Sequence, residues 1–514
     1  MKNHQVEPIH QVRLEVVIKT TINLQLEEEN KMKKIFFLLF FIPIFGLTQD
    51  FRDLVRYSQT QTYGSARFEA MAGSFGALGA DLSTSSINPA GYGRYSKSTF
   101  GLSFQNTGIK NQAVFNSNAI NSNLNLFRLN NLGVVLCNDV SENNRGFIFT
   151  QIGFTYNRIE NFKDEYSYAG QQFHSLLDEF CSQAYGLNSD EIYSYLPFST
   201  ALAWDTYAID SDSDGGYIPR LNEYDVIHKR NVLNGGGSSE YNFNLSTNYN
   251  HKLYVGGNIG FRTSLYKEDY THLEQATNTE GISIDSFQYE YHLKTKGHGT
   301  NIKLGVIYVP IEQFRIGLSF HSPTFFKMKD YFSADMTTYQ NDSVFTVLEE
   351  FKPVGEYKYL LRTPTKFIFS MAYVFATRGS INVDLDFVNY KWAHFHQTDD
   401  TNYEPFDYAP TNKFAKTQLR PVINVRIGGE LVFLSQYFIR AGYAYYPSAY
   451  NQSLNSVKDN QVYSCGIGLK WKKNCVDLAY KYEDRQFSYY AFSESRTAIN
   501  QKRTSISINY SFNF

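Results

Sequence analysis

The chain of 514 residues carries a net charge of -2, with 17% aromatic and only 19% charged residues. That near-neutral balance argues against a nucleic-acid surface, which needs a basic excess. After residue 50 no stretch approaches the roughly 20 apolar residues of a spanning helix, whereas an aromatic-rich, charge-poor chain suits strands whose outer face meets lipid, and a single barrel can run to this length.

Residues 1–31, which include the acidic run Glu27-Glu28-Glu29, precede a second methionine that opens a better leader. Met32-Lys33-Lys34 supplies a positive n-region, Ile35 to Phe45 an apolar h-region, and Gly46-Leu47-Thr48-Gln49 a cleavage zone. Residues 32–49 therefore read as a signal peptide, Met32 as the true start, and residues 1–31 as an upstream translation artefact or an extension. The h-region is too short for a comfortable transmembrane helix, so the mature chain is expected to be exported and to begin near Asp50.

Residues 50–97 read as a segment that must pack inside something else. Between Gly64 and Tyr95 the side chains are small (Ala66, Ala70, Ala72, Gly73, Gly76, Ala77, Gly79, Ala80), too short of bulk for a core of their own and too rich in glycine for an isolated helix. Asn88-Pro89-Ala90-Gly91 closes the run with turn chemistry. The pattern of Gly64, Ala66, Met71, Ala72, Gly73, Ala77, Ala80, Asp81 and Ser83 before that turn resembles the N-terminal hatch of the FadL/TodX family, outer-membrane channels for long-chain fatty acids and aromatic hydrocarbons. The resemblance implies an all-β fold, a transmembrane antiparallel barrel of fourteen strands. It further implies that the hatch plugs the lumen and that Asn88, Pro89, Ala90 and Gly91 act as the gate. The residues alone also allow an ordinary Gly/Ala-rich surface loop.

Over 98–514 period-2 alternation recurs, most clearly where Ile506, Ile508, Tyr510, Phe512 and Phe514 alternate with Ser505, Ser507, Asn509, Ser511 and Asn513. Strands are expected at 98–106, 130–138, 146–162, 239–249, 252–271, 288–309, 314–334, 356–376, 379–395, 417–434, 437–448, 460–473, 475–491 and 503–514. Tight turns, such as Thr377-Arg378 and Leu434-Ser435-Gln436, alternate with long connections, the layout of an outer-membrane barrel with its short turns periplasmic. The terminal Phe514 resembles the C-terminal signal such barrels show to their assembly machinery. The expected location is the outer membrane of a Gram-negative bacterium. The competing fold, a secreted β-sandwich enzyme or lectin, would turn the apolar strand faces inward.

The longest connection, about 163–237, has helical periodicity over Gln171 to Tyr185, with Phe173, Leu176, Leu177, Phe180 and Cys181 on one face. A second apolar segment from Ile192 to Tyr207 carries Leu196, Phe198 and Trp204. Two such helices either form an extracellular groove that captures a hydrophobic ligand, as the resemblance implies, or pack on each other and cap the barrel. Asp210, Asp212 and Asp214 imitate a calcium loop, but Leu221 stands where the bidentate glutamate belongs, so the EF-hand match fails and a solvated acidic loop, or at most a weak calcium tie, is expected. His394 and His396 share a face without a third ligand in sequence, and Cys137, Cys181, Cys465 and Cys475 have no metal-binding or disulfide spacing, so neither a metal nor a cofactor is expected.

Alternation turns Arg262, Asp384, Asp386, Arg426, Glu430, Arg440, Asp477 and Lys481 toward the lumen, where mixed charges pair structurally or leave Arg426 or Arg440 to meet a carboxylate headgroup. The family's side exit, an irregularity in the third strand, implies a role for Gly153. No catalytic motif emerges. The function expected is passive outer-membrane uptake of hydrophobic small molecules, with lipid and the assembly machinery as further partners and no nucleic acid. The alternative is a barrel of the same kind that docks secretion-system proteins, as a relative in type IX secretion does.

Overall fold

The computed structural model describes residues 50–141, 146–212, 215–221, 226–277, 284–376, 378–398, 406–451, 457–492 and 495–514. The expected signal peptide and the residues before it lie outside that set. Fourteen antiparallel wall strands run β1 Thr99–Phe115, β2 Asn118–Asp139, β3 Phe147–Asn161, β4 Val226–Tyr249, β5 Leu253–Ala276 and β6 Ser286–Ile311. β7 follows in two pieces, Phe314–His321 and Phe325–Gln340, as does β8, Val354–Arg362 and Lys366–Val374. The wall is completed by β9 Gly379–Asn389, β10 Pro421–Phe433, β11 Tyr437–Tyr446, β12 Asn460–Trp471, β13 Asn474–Tyr490 and β14 Arg496–Asn513. β14 pairs with β1 from Thr99↔Asn513 to Val114↔Ala498, so the sheet closes and leaves no edge.

Apolar strand faces point outward. Ile506, Ile508 and Tyr510 are exposed while Ser505, Ser507 and Asn509 are buried, and the same division holds for Phe243 and Leu245 against Asn242 and Asn244. That arrangement is a lipid-facing belt around a filled interior, and it rules out a soluble sandwich.

At one end the strands are joined by tight turns that use left-handed backbone, such as Asn250-His251 (φ 52° and 54°) and Leu434-Ser435 (φ 48° and 56°). At the other end the strands run on beyond the belt. Here the expected boundaries need correcting. β1 and β2 do not stop near 106 and 130 but form one hairpin turned by Asn116-Ser117 (φ 43° and 71°). β4 begins at Val226 rather than 239 and passes straight through Gly235-Gly236-Gly237. A short strand, Asp164–Gln172, pairs with its outer part. β7 and β8 are each interrupted, at 322–324 and 363–365, where Pro323 and Pro364 cannot donate to a ladder. Beside them β9 gives way to a single turn of 3₁₀ helix, Tyr390–Trp392, before a short strand at His394–His396. The breaks stay hydrogen-bonded, Ser322 N–H to Ile302 O at 2.9 Å and Thr363 N–H to Thr324 O at 3.1 Å.

Residues 51–94 lie inside the wall. Helix α1, Phe51–Arg56, is capped by Asp50, and helix α2, Ala66–Ala70, by Ser65. 3₁₀ turns follow at Leu82–Ser86 and Pro89–Arg94. The long connection carries α3 Leu176–Gln183, α4 Ser189–Tyr195 and α5 Thr200–Asp205, and α6 Ala409–Gln418 lies between β9 and β10.

Candidate functional site

The lumen has two layers of opposite character. Toward the long-loop end α1 drives Phe51, Leu54, Val55 and Tyr57 into an aromatic chamber whose wall includes Phe162, Tyr266, Phe326, Tyr359, Phe395 and Tyr408. Phe51 meets Phe414 edge-on at 5.3 Å, and Tyr57 meets Phe162 at 6.0 Å.

Below it the lumen is polar and the Gly/Ala segment is clasped to the wall. Asn88 organises the turn: its Oδ1 accepts Ala90 N–H at 3.1 Å and its Nδ2 donates to Gly76 O at 2.7 Å. Asn244 and Ser246 on β4 donate to Pro89 O at 3.2 and 2.8 Å. A methyl group at Gly305 of β6 would overlap Asn88 Oδ1, and one at Gly256 of β5 would stand 2.6 Å from the Pro89 carbonyl, so the wall is glycine where the turn touches it. Asn88, Pro89, Ala90 and Gly91 are thus fully enclosed.

The inward charges are buried and, apart from Arg262, which donates to Ser238 Oγ at 2.9 Å, they are paired. Arg426 reaches Asp386 at 2.6 Å and Asp384 at 3.2 Å, and Arg440 reaches Glu430 at 2.6 Å and Asp477 at 2.7 Å. Two of these carboxylates also hold the stopper: Glu430 takes Arg67 in a fork at 3.1 Å, and Asp384 accepts Gly76 N–H at 3.1 Å. Between the layers sits a cavity of about 60 Å³. It is lined by Arg158, Glu240, Arg262, Lys303, His321 and Lys366 among others, at the level of the breaks in β7 and β8. The lumen is stoppered, not open.

Gly153 pairs regularly with Val135 on one side and Asn244 on the other, and lacks a side chain because the Tyr92 ring occupies that space. The irregularities of β3 flank it, with register shifts at Phe147/Phe149 near the short-turn end and at Arg158/Glu160 farther on. β2 and β3 pair from Asn131↔Asn157 toward the short-turn end. Beyond that point β3 turns inward, burying Ile159, Glu160 and Asn161, and side chains span the gap, Arg158 Nε to Leu129 O at 3.3 Å and Ser122 Oγ to Glu165 O at 2.6 Å.

The loop helices pack on the wall and cap it. Leu176, Leu177 and Phe180 are buried, with Phe180 against Tyr289 at 5.5 Å. Phe198 packs on Phe332 at 4.7 Å and Trp204 on Tyr217 at 5.6 Å, while Leu196 is half-buried in the helix cluster. Phe173 is exposed, as are Tyr185, Tyr193, Tyr195 and Tyr207. The expected two helices are three because Pro197 breaks the second segment. Asp210 lies on a small ribbon, Ile209–Ser211 with Tyr217–Pro219, 3.7 Å from Arg220, and Asp214 lies outside the described residues. Asp212 accepts Gly215 N–H through its backbone, turning the ribbon. The His394 and His396 rings are 4.6 Å apart, and burial together with the neighbouring His396 holds the His394 imidazole below its ordinary value.

Sequence reasoning missed a buried cluster, His228, His272 and Glu274, whose ligand-type atoms lie within 4.8 Å of one another. Arg230 Nε faces His272 Nδ1 at 3.1 Å, which makes His272 Nε2 the donor to Glu274 Oε1 at 2.7 Å. Glu274 in turn accepts the Ser175 hydroxyl at 2.5 Å and Leu176 N–H at 2.8 Å. The cluster therefore pins the N-terminus of α3 to the wall. His272 and Glu274, two residues apart, were the available signal, but both lay past the expected strand end at 271 and His228 fell in an expected loop. Glu274→Ala is expected to release the helices at a cost of about 3 kcal/mol, seen as roughly 100-fold faster protease cleavage in the loop with an unchanged barrel. Cleavage at the parental rate would remove the pinning role.

A family model described as outer membrane protein transport protein (OMPP1/FadL/TodX) matches residues 239–512. No curated protein matches the sequence. Among solved structures, a Pseudomonas aeruginosa FadL homologue is 11% identical with a TM-score of 0.54, the match covering 89% of this chain and 100% of that one. The toluene transporter TodX of P. putida is 11% identical with a TM-score of 0.49, the match covering 89% and 99%.

Proposed function

The chain belongs to the OMPP1/FadL/TodX family of outer membrane transport proteins, and from that membership we propose that it passes hydrophobic small molecules, of the long-chain fatty acid or aromatic class, passively through a gated barrel. The observation that carries this reading is the aromatic chamber. The interior of an outer-membrane barrel is ordinarily polar, whereas here the outer half of the lumen is lined by Phe and Tyr and filled by the chain's own α1. A hydrophobic ligand entering from the loop end would take the place of Phe51, Leu54 and Val55. Its onward path is blocked by the turn at Asn88-Pro89-Ala90-Gly91, so this turn must shift. The inward bend of β3 between Arg158 and Asn161, rather than Gly153, offers the side exit.

The gate is tested by a staple. Ser85 Oγ in the stopper and Thr155 Oγ1 on β3 are 2.9 Å apart, so cysteines at both positions can bond across the contact. In a background with the four native cysteines replaced by serine, the oxidised Ser85→Cys/Thr155→Cys protein is expected to lose uptake of labelled oleate and toluene into liposomes. Dithiothreitol is expected to restore it. Uptake that persists with the staple closed removes the gate.

A second reading, docking of secreted proteins, is favoured by the packed lumen and by the exposed aromatics of the loop, Phe173, Tyr185 and Tyr195 among them. It predicts that the parent passes neither probe and that removing residues 173–207 abolishes export of other proteins. The transport reading predicts the reverse on both counts.

A further inference from the structure

On the outward face of β5 to β8, immediately beyond the apolar belt, the register sets cations against one another. Lys267 stands opposite Lys294, Lys296 opposite Lys329, and Lys329 opposite Lys358, with Lys327 one outward position farther along its strand. On β5 to β7 the rows just below are apolar or neutral, Phe261, Thr300 and Phe325, then Ile259 and Ile302, while β8 sets Arg362 beside Phe325. Like charges directly opposite on adjacent strands oppose sheet formation, and here two successive rows carry the arrangement, with Lys327 in the row below them.

Part of the patch is neutralised within the protein. Lys329 pairs with Glu356 at 2.5 Å, and Lys296 and Lys329 lie 5.7 and 4.7 Å from the Tyr331 ring. Lys267, Lys294, Lys296 and Lys327 are exposed and, among the described residues, form no ion pair. On the opposite wall, at β1, β13 and β14, the corresponding rows mix Lys110 and Lys502 with Asp484. That wall balances its lysines with an acid where β5 to β8 do not.

We propose that this patch is a binding site for a phosphorylated glycolipid of the outer leaflet, its acyl chains on the apolar rows and its phosphates on Lys294, Lys296 and Lys327. Three features favour that occupant. Lysine ammonium groups are compact partners for phosphate. The rows cover about 13 Å along the strands and about 14 Å across four of them, the scale of a disaccharide headgroup. The patch adjoins the lipid-facing belt at the long-loop end, where a soluble anion would find no use for the apolar rows. The inference rests on the outer-membrane placement of the family and is independent of whether the lumen transports anything.

The test is binding in detergent by the full-length barrel to bis-phosphorylated lipid A, to the same lipid after enzymatic dephosphorylation, and to phosphatidylglycerol. The phosphorylated glycolipid is expected to bind at least tenfold more tightly than either of the others. Lys294→Gln/Lys296→Gln/Lys327→Gln is expected to lose that margin, and Lys110→Gln/Lys502→Gln on the opposite wall to keep it. In lipid-free detergent the triple variant is expected to melt higher than the parent, because a repulsion has been removed, which also shows that it folds. Equal binding of the three lipids overturns the proposal, and so does undiminished binding by the triple variant or equal loss from the opposite wall. If the triple variant fails to fold, Lys296→Gln alone must show a partial loss, and parental binding by it overturns the proposal. Uptake assays stand apart from all of these outcomes.

Discussion

Arg426→Leu is expected to destabilise the folded barrel by roughly 3–5 kcal/mol, because it strands two buried carboxylates. Arg426 sits opposite Asp384 in the β9–β10 register and is the ion-pair partner of both Asp384 and Asp386, all three being at most 3% exposed. Leucine fills much of the volume but leaves two like charges side by side. Asp384 retains only polar contacts such as the Gly76 N–H, so the damage should reach the stopper as well as the wall. The cost belongs to the uncompensated charge and not to the lost arginine. Adding Asp384→Asn and Asp386→Asn to the Arg426→Leu background is therefore expected to recover most of the stability. Urea midpoints of the detergent-folded protein, followed by the mobility shift between folded and unfolded forms on unheated gels, measure both effects. If Arg426→Leu lies within about 1 kcal/mol of the parent, water must reach the pair, and the lumen is wetter than its packing implies.

What could be read from the sequence follows from where the two faces of a strand meet different solvents. In the belt one face meets lipid and the other the lumen, so Ile506, Ile508 and Tyr510 against Ser505, Ser507 and Asn509 declare both strand and register. Beyond the belt both faces are wet or packed against loops, and the dyad fades. Asn111, Asn116, Asn118, Asn121, Asn123 and Asn125 have poor strand propensity, so the β1–β2 hairpin looked like a loop. Gly235-Gly236-Gly237 looked like a terminus for the same reason. Pro323 and Pro364 did carry a usable signal, but a strand that breaks and resumes along one line reads as continuous when only periodicity is counted. In the long connection helical periodicity located the helix but not its neighbour. Leu176, Leu177 and Phe180 do lie on one helix face, but amphipathicity says that a face is covered without saying by what, and the wall extension around Tyr289 covers it. Gly153 failed as a bulge marker because a strand glycine has two physical explanations, a disturbed ladder or a close neighbour, and only Tyr92, distant in sequence, decides between them.

Removal of residues 50–97 from the mature chain is expected to convert a silent barrel into an open ion channel. The wall does not need the stopper to close, since every pair from β1 round to β14 is made by wall strands alone. The largest wall ion pairs, Arg426 with Asp384 and Asp386, and Arg440 with Glu430 and Asp477, also survive the deletion. The groups left behind, such as Lys481, which loses Glu69, and Ser464, which loses Ala70 O, would face a water-filled lumen and be solvated there. The aromatic chamber suffers more. Without Phe51, Leu54, Val55 and Tyr57 it exposes apolar surface to water, so the truncated barrel should fold but unfold at lower urea than the parent. In planar bilayers the parent is expected to show no steps above baseline and the truncated protein steady ohmic conductance. Ser85→Cys/Thr155→Cys, which has a closed lumen by design, serves as the silent control. A truncated barrel that inserts and remains silent would mean that the loops, not residues 50–97, seal the channel, and the gate would then have to be sought among α3, α4 and α5.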